Sequence, residues 1–102
     1  MTKSKIRKLR QRIAKLRNQG DVSSRQLERL AHSAGRKRDP RGKEPQYISD
    51  LLPNSFPFSI PHHRKDIPVG TKLNILDSIE QDVDELEEKL IQDEVKGNGH
   101  GD

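Results

Sequence analysis

The chain has 102 residues, of which 28% are hydrophobic and 35% charged, and its mean hydropathy is −1.04. A chain of this size supports one domain with a small core, and its low apolar content leads us to expect that part of it is disordered. The absence of cysteine excludes disulfides and thiolate metal sites. No apolar run approaches the roughly 20 residues that span a bilayer, so no membrane association is expected.

Charge is distributed unevenly along the chain. Residues 1–44 contain fifteen Lys and Arg against four Asp and Glu, a net charge of +11. Residues 45–102 contain five against twelve, a net charge of −7. This split indicates a basic surface that binds a polyanion, or two segments that attract each other within the chain, and the two interpretations are compatible.

Residues 3–18 are predicted to form a basic helix that ends near Gly20, a residue suited to a left-handed cap. Its apolar residues recur at spacings of 3, 4 and 3 and therefore lie on one stripe: Ile6, Leu9, Ile13 and Leu16. No acidic residue precedes Asp21, a composition also found in organellar transit peptides, but the apolar stripe favours an ordinary helix. We expect its outward face either to be solvated or to contact nucleic-acid phosphates.

A second helix begins at a capping box formed by Ser23 and Gln26, with Val22 and Leu27 as the matching hydrophobic staple. Gly35 is expected to end it. The short apolar face between these boundaries predicts a helix that covers a sheet.

The stretch 36–61 contains both phenylalanines, the only tyrosine and five of the six prolines. Residues 36–45 are predicted to be a basic loop or a short edge strand, since two prolines forbid a helix there. This segment is the densest candidate for phosphate binding, with a solvated charge run as the alternative. Strands are expected at 46–50 and 56–61, and Phe58 and Ile60 share the core face of the second.

The last element is predicted to be a long helix from about Gly70 to Ile91. Apolar residues recur along it at helical spacing, and its later half is acidic; the stripe comprises Leu73, Leu76, Ile79, Val83, Leu86 and Leu90. We expect the overhanging part, 79–90, to pair with the stripe of the N-terminal helix, either within the chain or between two chains as a homodimer. Residues 92–102 are expected to be a disordered tail.

These elements predict an α+β fold in which helices cover one face of a small three-stranded antiparallel sheet. The predicted organisation is a basic N-terminal helix in residues 1–20, a central domain with an extended C-terminal helix in 21–91, and the tail from 92.

Residues 59–76, SIPHHRKDIPVGTKLNIL, resemble the C-terminal half of the HicA (YcfA-like) toxins of bacterial toxin–antitoxin modules. In that family a strand ending in Ile-Pro is followed by a histidine-containing loop, and Gly-Thr then opens a helix of the form Thr-x-x-x-Ile-Leu. Upstream, residues 41–47 align with the family's Gly-Ser-His-x-x-aromatic segment, and the resemblance covers about residues 22–80. It implies an α-β-β-β-α order similar to double-stranded-RNA-binding domains. It also implies a cytoplasmic, metal-independent ribonuclease that cleaves mRNA and is inhibited by a HicB-type antitoxin.

The chain departs from the family where the chemistry lies, because Glu44 stands at the position of the catalytic histidine and Lys43 at that of the preceding serine. Metal-free RNA cleavage needs a base for the 2′-hydroxyl and an acid for the leaving oxygen. Glu44 could be the base with His62 or His63 as the acid, while Lys43 and Arg41 hold the phosphate. The alternatives are RNA binding without cleavage, and a Glu44 that only pairs with neighbouring cations.

The predicted nucleic-acid-binding residues lie in the two basic segments on either side of the central strands: Arg36, Lys37, Arg38, Arg41, Lys43, Arg64 and Lys65. No metal or other cofactor is expected, since adjacent histidines such as His62 and His63 point apart in an extended chain and no third ligand is well placed. The competing hypothesis is a protein-interaction module. In it, the basic and acidic helices form a dimer or antitoxin interface and nucleic acid plays no part.

Overall fold

Residues 1–41 and 45–98 are described by the computed structural model, with side chains to residue 94. Within them the elements are α1 (Lys3–Asn18), α2 (Ser24–Ser33), β1 (Arg36–Asp39), β2 (Gln46–Ser49), β3 (Phe58–Ser59) and α3 (Val69–Asn98). The strands form an antiparallel sheet in the order β1-β2-β3, and helices pack on it. The α+β prediction is therefore confirmed.

The sheet places the basic segment at an edge. β1 pairs only with β2 in the described sheet, with Arg38 opposite Tyr47, which confirms the edge-strand alternative for residues 36–39. β3 covers two residues instead of the predicted 56–61, because Pro57 and Pro61 on either side have no N–H to donate to a ladder.

The start and end of α2 follow local sequence signals. The Ser23 side chain accepts a hydrogen bond from the Gln26 backbone N–H at 3.3 Å, and the Gln26 side chain accepts one from the Ser23 N–H at 3.0 Å. Gly35 follows with a φ of 98°, and a Cβ there would lie 2.7 Å from Leu51 Cδ1. Both the capping box and the glycine end of the helix are confirmed.

The end of α1 differs from the prediction. Gly20 does not adopt a positive φ, and the helix ends at Asn18 with the capping residue Gln19 in an extended conformation. The buried Lys72 ammonium donates to the carbonyl oxygens of Arg17 and Gln19, at 3.3 and 3.0 Å. A cation at this end also interacts favourably with the negative end of the helix dipole. A residue distant in sequence thus replaces the predicted glycine cap.

The apolar stripe of α1 packs against α3 within the one chain. Both stripes are buried: Ile6, Leu9, Ile13 and Leu16 on α1, and Leu76, Ile79, Val83 and Leu86 on α3. The flanking ion pairs Lys3–Glu94, Arg10–Asp84 and Arg17–Asp77 show that the two helices run antiparallel, since the α3 numbers fall as the α1 numbers rise. The alternative of intramolecular pairing is the one that the fold adopts.

Two details of α3 correct the prediction. The helix runs from Val69 to Asn98, so residues 92–98 are helical rather than part of a disordered tail, and residues 99–102 lie outside the described part. In its first turns Leu73 is 36% exposed, and Ile75 is buried instead. Along its length α3 packs against α2 and β3 as well as α1, so residues outside the seam with α1 are also buried.

Candidate nucleic-acid interface

The two predicted basic segments meet at one end of the sheet. Arg38, near the end of β1, places Nη2 at 2.7 Å from Nε2 of His62, which lies in the loop after β3. Because a guanidinium only donates, the imidazole nitrogen is the acceptor in this contact. His63, Arg64 and Lys65 follow in the same exposed loop. We call Arg38 and residues 62–65 the sheet-end cluster.

Ser24, the first residue of α2, anchors that loop. Its hydroxyl donates to the carbonyl oxygen of Pro61 and accepts from the backbone N–H of Arg64 at 2.9 Å, and its own N–H donates to the Arg64 carbonyl at 2.9 Å. A second tie joins the Ile67 N–H to the Val22 carbonyl at 2.8 Å. The loop is therefore fixed to the start of α2 by partly buried hydrogen bonds, which sequence reasoning did not anticipate.

The two histidines do not point apart as predicted. His63 has a φ of 53°, so the chain turns and the rings of His62 and His63 stack with centroids 4.5 Å apart and planes 11° from parallel. The prediction assumed a strand, and the turn reverses the direction of the second side chain. Both imidazoles are exposed beside the Arg38 guanidinium.

Arg36 does not belong to this surface. It is 2% exposed, and its Nε and Nη2 donate to the carboxylate of Asp82 on α3 at 2.6 and 2.8 Å. Nη1 donates to the carbonyl oxygens of Tyr47 and Phe56, and the guanidinium lies 4.7 Å from the centre of the Phe58 ring. In this conformation Arg36 cannot reach a phosphate and is a structural residue.

Two of the remaining predicted cations are paired with acids at the surface. Lys37 Nζ lies 2.7 Å from a carboxylate oxygen of Asp50, and both side chains are more than half exposed. Arg41 is 86% exposed and bonds both carboxylate oxygens of Asp39. Solvent screens pairs of this kind, so they are weak and each cation is available for exchange onto a phosphate.

Lys43 and Glu44 lie outside the described residues, and so does the predicted pairing of Glu44 with His62 or His63.

Among the described residues no group of three His, Cys, Asp or Glu side chains is placed to hold a metal ion. The helices in the described part include none long and apolar enough to cross a membrane.

Arg41 lowers the pKa of the Asp39 carboxyl group. Hydrogen bonds from its guanidinium, and then from its backbone N–H, lower the pKa of Asp39 from the ordinary 3.8 to about 2. A lowered pKa means that the folded state binds the proton less readily than the unfolded chain. The stabilising contribution is therefore complete above about pH 4 and lost as the pH falls through about 2.

We expect the Asp39 carboxyl carbon to titrate with a midpoint near 2 by NMR. The variant Arg41→Ala is expected to move the midpoint back toward 3.8, because it removes the principal cause of the shift. The control Lys37→Ala removes only the weakest of the lowering effects and should shift it far less. A midpoint near 3.8 in the unaltered protein would show that the pair does not persist in solution.

Tyrosine and phenylalanine rings contribute little exposed surface to this end of the sheet. Tyr47 is buried and its ring lies 6.1 Å from that of Phe58, centroid to centroid. Burial, reinforced by the negative charge of Glu28, raises the pKa of the Tyr47 hydroxyl. Phe56 is 88% exposed, but its carbonyl accepts from Arg36 at the opposite end of the strands from Arg38.

A second basic surface lies on α1, on the flank that faces α2. Its cations recur at spacings of 3, 4 and 3 and are hereafter called the α1 row: Lys5, Lys8, Arg12 and Lys15. The opposite flank carries Lys3, Arg10 and Arg17, which pair with α3 acids. None of the α1 row forms an ion pair with an acid among the residues whose side chains are described. The sequence marked all these cations as one basic helix and could not tell the flanks apart.

Comparisons of the chain with protein-family models, with curated proteins and with solved structures found no match. What the structure defines is a small α+β protein with a basic edge strand, a basic loop and a basic helix flank. The resemblance to HicA toxins remains a prediction from the residues that carry it.

Proposed function

We propose that the chain is an RNA-binding protein similar to the HicA toxins, with the sheet-end cluster as its primary phosphate-binding site. The observation that carries the proposal is the 2.7 Å approach of Arg38 to His62, since it joins two basic segments 24 residues apart in sequence into one exposed site. A guanidinium beside two imidazoles, with Arg64 and Lys65 adjacent, offers several donors to one phosphate group and its neighbours.

RNA is favoured over DNA by the form of the site. The helices of the described part bury their apolar faces in the core, and none projects as a recognition helix for a major groove. A fold that presents cations from a strand edge and a loop suits the recognition of shape and backbone. Cleavage is a separate part of the proposal. In it, His62 and His63, whose exposed rings stack on each other, share the roles of acid and base in attack by a 2′-hydroxyl, with or without Glu44.

The competing hypothesis of a protein-interaction module gains less from the structure. The charge split between the halves of the chain is partly accounted for by the ion pairs between α1 and α3, which need no second molecule. Binding of a HicB-type antitoxin stays a prediction, and it is compatible with RNA binding at the sheet-end cluster.

Fluorescence anisotropy of a labelled RNA across a salt series tests the proposal. Affinity should fall steeply with salt, and Arg64→Ala/Lys65→Ala should flatten the slope of log K against log salt by about 1.4–1.8, the contribution of two phosphate contacts. The matched control Arg7→Ala/Lys89→Ala removes two exposed cations elsewhere and should leave the slope unchanged. Binding that is absent or insensitive to salt would refute the proposal. Gel analysis of the same RNA, with His63→Ala as the comparison, reports whether it is cleaved.

A further inference from the structure

The α1 row and the sheet-end cluster are connected across one face of the molecule. Arg12, in the middle of the α1 row, lines an open depression of about 570 Å³ together with Arg29 of α2 and Arg38 of the sheet-end cluster. Arg12 also lines two smaller depressions beside it, one with Lys5 and Lys8 and one with Lys15 and Arg29. Two basic surfaces therefore flank a shared hollow.

From this arrangement we infer that the RNA partner is double-stranded, with the α1 row on the phosphates of one strand, the sheet-end cluster on those of the other, and the hollow facing the minor groove between them. The inference rests on the proposed function and names its class of RNA. The minor groove of an A-form duplex is wide and shallow, and proteins recognise it through the phosphates and 2′-hydroxyls that border it.

The α1 row is built for a rigid ligand. From Lys5 to Lys15 it extends about 15 Å along the helix at 1.5 Å per residue. Its position is fixed because the neighbouring stripe of α1 is buried against α3. A straight line of charge on a fixed helix matches the regular phosphates of a duplex better than those of a flexible strand.

The positions of the tyrosine and phenylalanine rings also favour a duplex over a single strand. Proteins that hold single strands stack the bases on exposed rings beside a basic groove. Here Tyr47, the ring that borders the hollow, is buried in the core, and Phe56 lies at the far end of the strands. Tyrosine and phenylalanine thus offer no platform for unpaired bases among the described residues of this surface, where the exposed rings are the imidazoles of His32, His62 and His63.

Polar groups in the hollow suit 2′-hydroxyls. Ser33 and the exposed His32 of α2 line it, and each both donates and accepts hydrogen bonds. Glu28 is the acid among the lining residues, and its carboxylate faces Tyr47. An anionic membrane fits the surface less well, because the apolar stripe of α1 is buried and unavailable for insertion.

The experiment compares the binding of a short blunt RNA duplex, a DNA duplex of the same sequence, and single-stranded oligouridine with the same number of phosphates. The unaltered protein should bind the RNA duplex on the order of tenfold more tightly than oligouridine, because only the duplex engages both surfaces. Lys8→Ala/Lys15→Ala should weaken duplex binding by a similar factor and leave oligouridine binding nearly unchanged. The control Arg7→Ala/Lys89→Ala, with the same loss of charge, should retain the preference.

His32→Ala/Ser33→Ala should narrow the preference for the RNA duplex over the DNA duplex while leaving the stability of the fold close to that of the unaltered protein, since His32 is exposed and Ser33 half-buried. Melting curves of every variant separate lost binding from lost folding.

The outcomes separate the two proposals. No salt-dependent binding to any of the three nucleic acids overturns the proposed function and this inference with it. Binding to oligouridine as tight as to the duplex, or a duplex affinity unchanged by Lys8→Ala/Lys15→Ala, overturns the inference alone. Displacement of the RNA duplex by poly-glutamate at equal charge concentration would assign the surface to an acidic protein and also overturn it.

Discussion

Replacing Asp82 by alanine is expected to lower the free energy of unfolding by about 3–5 kcal/mol. Asp82 and Arg36 are each almost fully buried and bond each other through two parallel contacts of 2.6 and 2.8 Å. Removing the carboxylate leaves a guanidinium buried without a counter-charge, and a charge in that position costs far more than the pair itself contributes. Loss of the Asp82 carboxylate would also remove the ion pair that connects β1 to α3.

Equilibrium urea unfolding followed by circular dichroism measures the effect. Asp84→Ala is the matched control. Asp84 lies two residues after Asp82 on the same helix and pairs with Arg10 at the surface. That variant should lose no more than about 1 kcal/mol. A loss of about 1 kcal/mol or less for Asp82→Ala would mean that Arg36 reaches water in solution.

The double variant Arg36→Met/Asp82→Leu separates the charge from the packing. Two apolar side chains leave no buried charge, so this protein should be more stable than Asp82→Ala despite having one more substitution. Full recovery is not expected, because the carbonyls of Tyr47 and Phe56 lose the donor that Arg36 supplies. A double variant less stable than Asp82→Ala would show that the arginine is needed chiefly for those two bonds.

Local signals predicted the elements of the fold well. The capping box at Ser23, the glycine after α2 and the apolar stripe of α1 each depend on residues within a turn or two of one another, and all three are present. The pairing of α1 with α3 was also predictable, because two apolar stripes flanked by opposite charges have an evident way to meet.

What failed depends on contacts between distant residues. Arg36 and Asp82 each sit within runs of like charge that are typical of solvated surfaces, and only the fold brings them together in the core. A signal was present, since Asp82 lies three residues after Ile79 and four before Leu86, on the buried face of α3. The Lys72 cap of α1 and the Ser24 anchor of the loop gave no such signal, as their partners are more than 35 residues away.

The candidate site was predicted in part. Of the predicted basic segment 36–45, Arg36 is buried whereas Lys37, Arg38 and Arg41 are exposed, as are residues 62–65. The meeting of the two segments through Arg38 and His62 is a property of the sheet register and the turn at His63. The division of α1 into a paired and an unpaired flank depends on which side α3 covers. Sequence periodicity gives the angle between two faces of a helix, and packing decides which of them remains free.

Ile13→Ala is expected to destabilise the protein by about 2–5 kcal/mol, because Ile13 is 1% exposed in the middle of the α1–α3 seam. The loss combines the transfer of the removed methyl and methylene groups with the cavity they leave. Ile13→Val, which removes a single methylene, should lose about 0.5–1.5 kcal/mol at the same place. Urea unfolding compares the three proteins.

The same variants decide how the two helices pair in solution. If the seam lies within one chain, the melting temperatures of the unaltered protein and of Ile13→Ala do not depend on protein concentration. If α1 of one chain packed on α3 of another, folding would be coupled to association, and both melting temperatures would rise with concentration. We expect no such dependence, since the intramolecular seam already buries both stripes. A concentration-dependent transition would instead support the homodimer, in which the apolar stripe of α1 in each subunit packs against α3 of its partner.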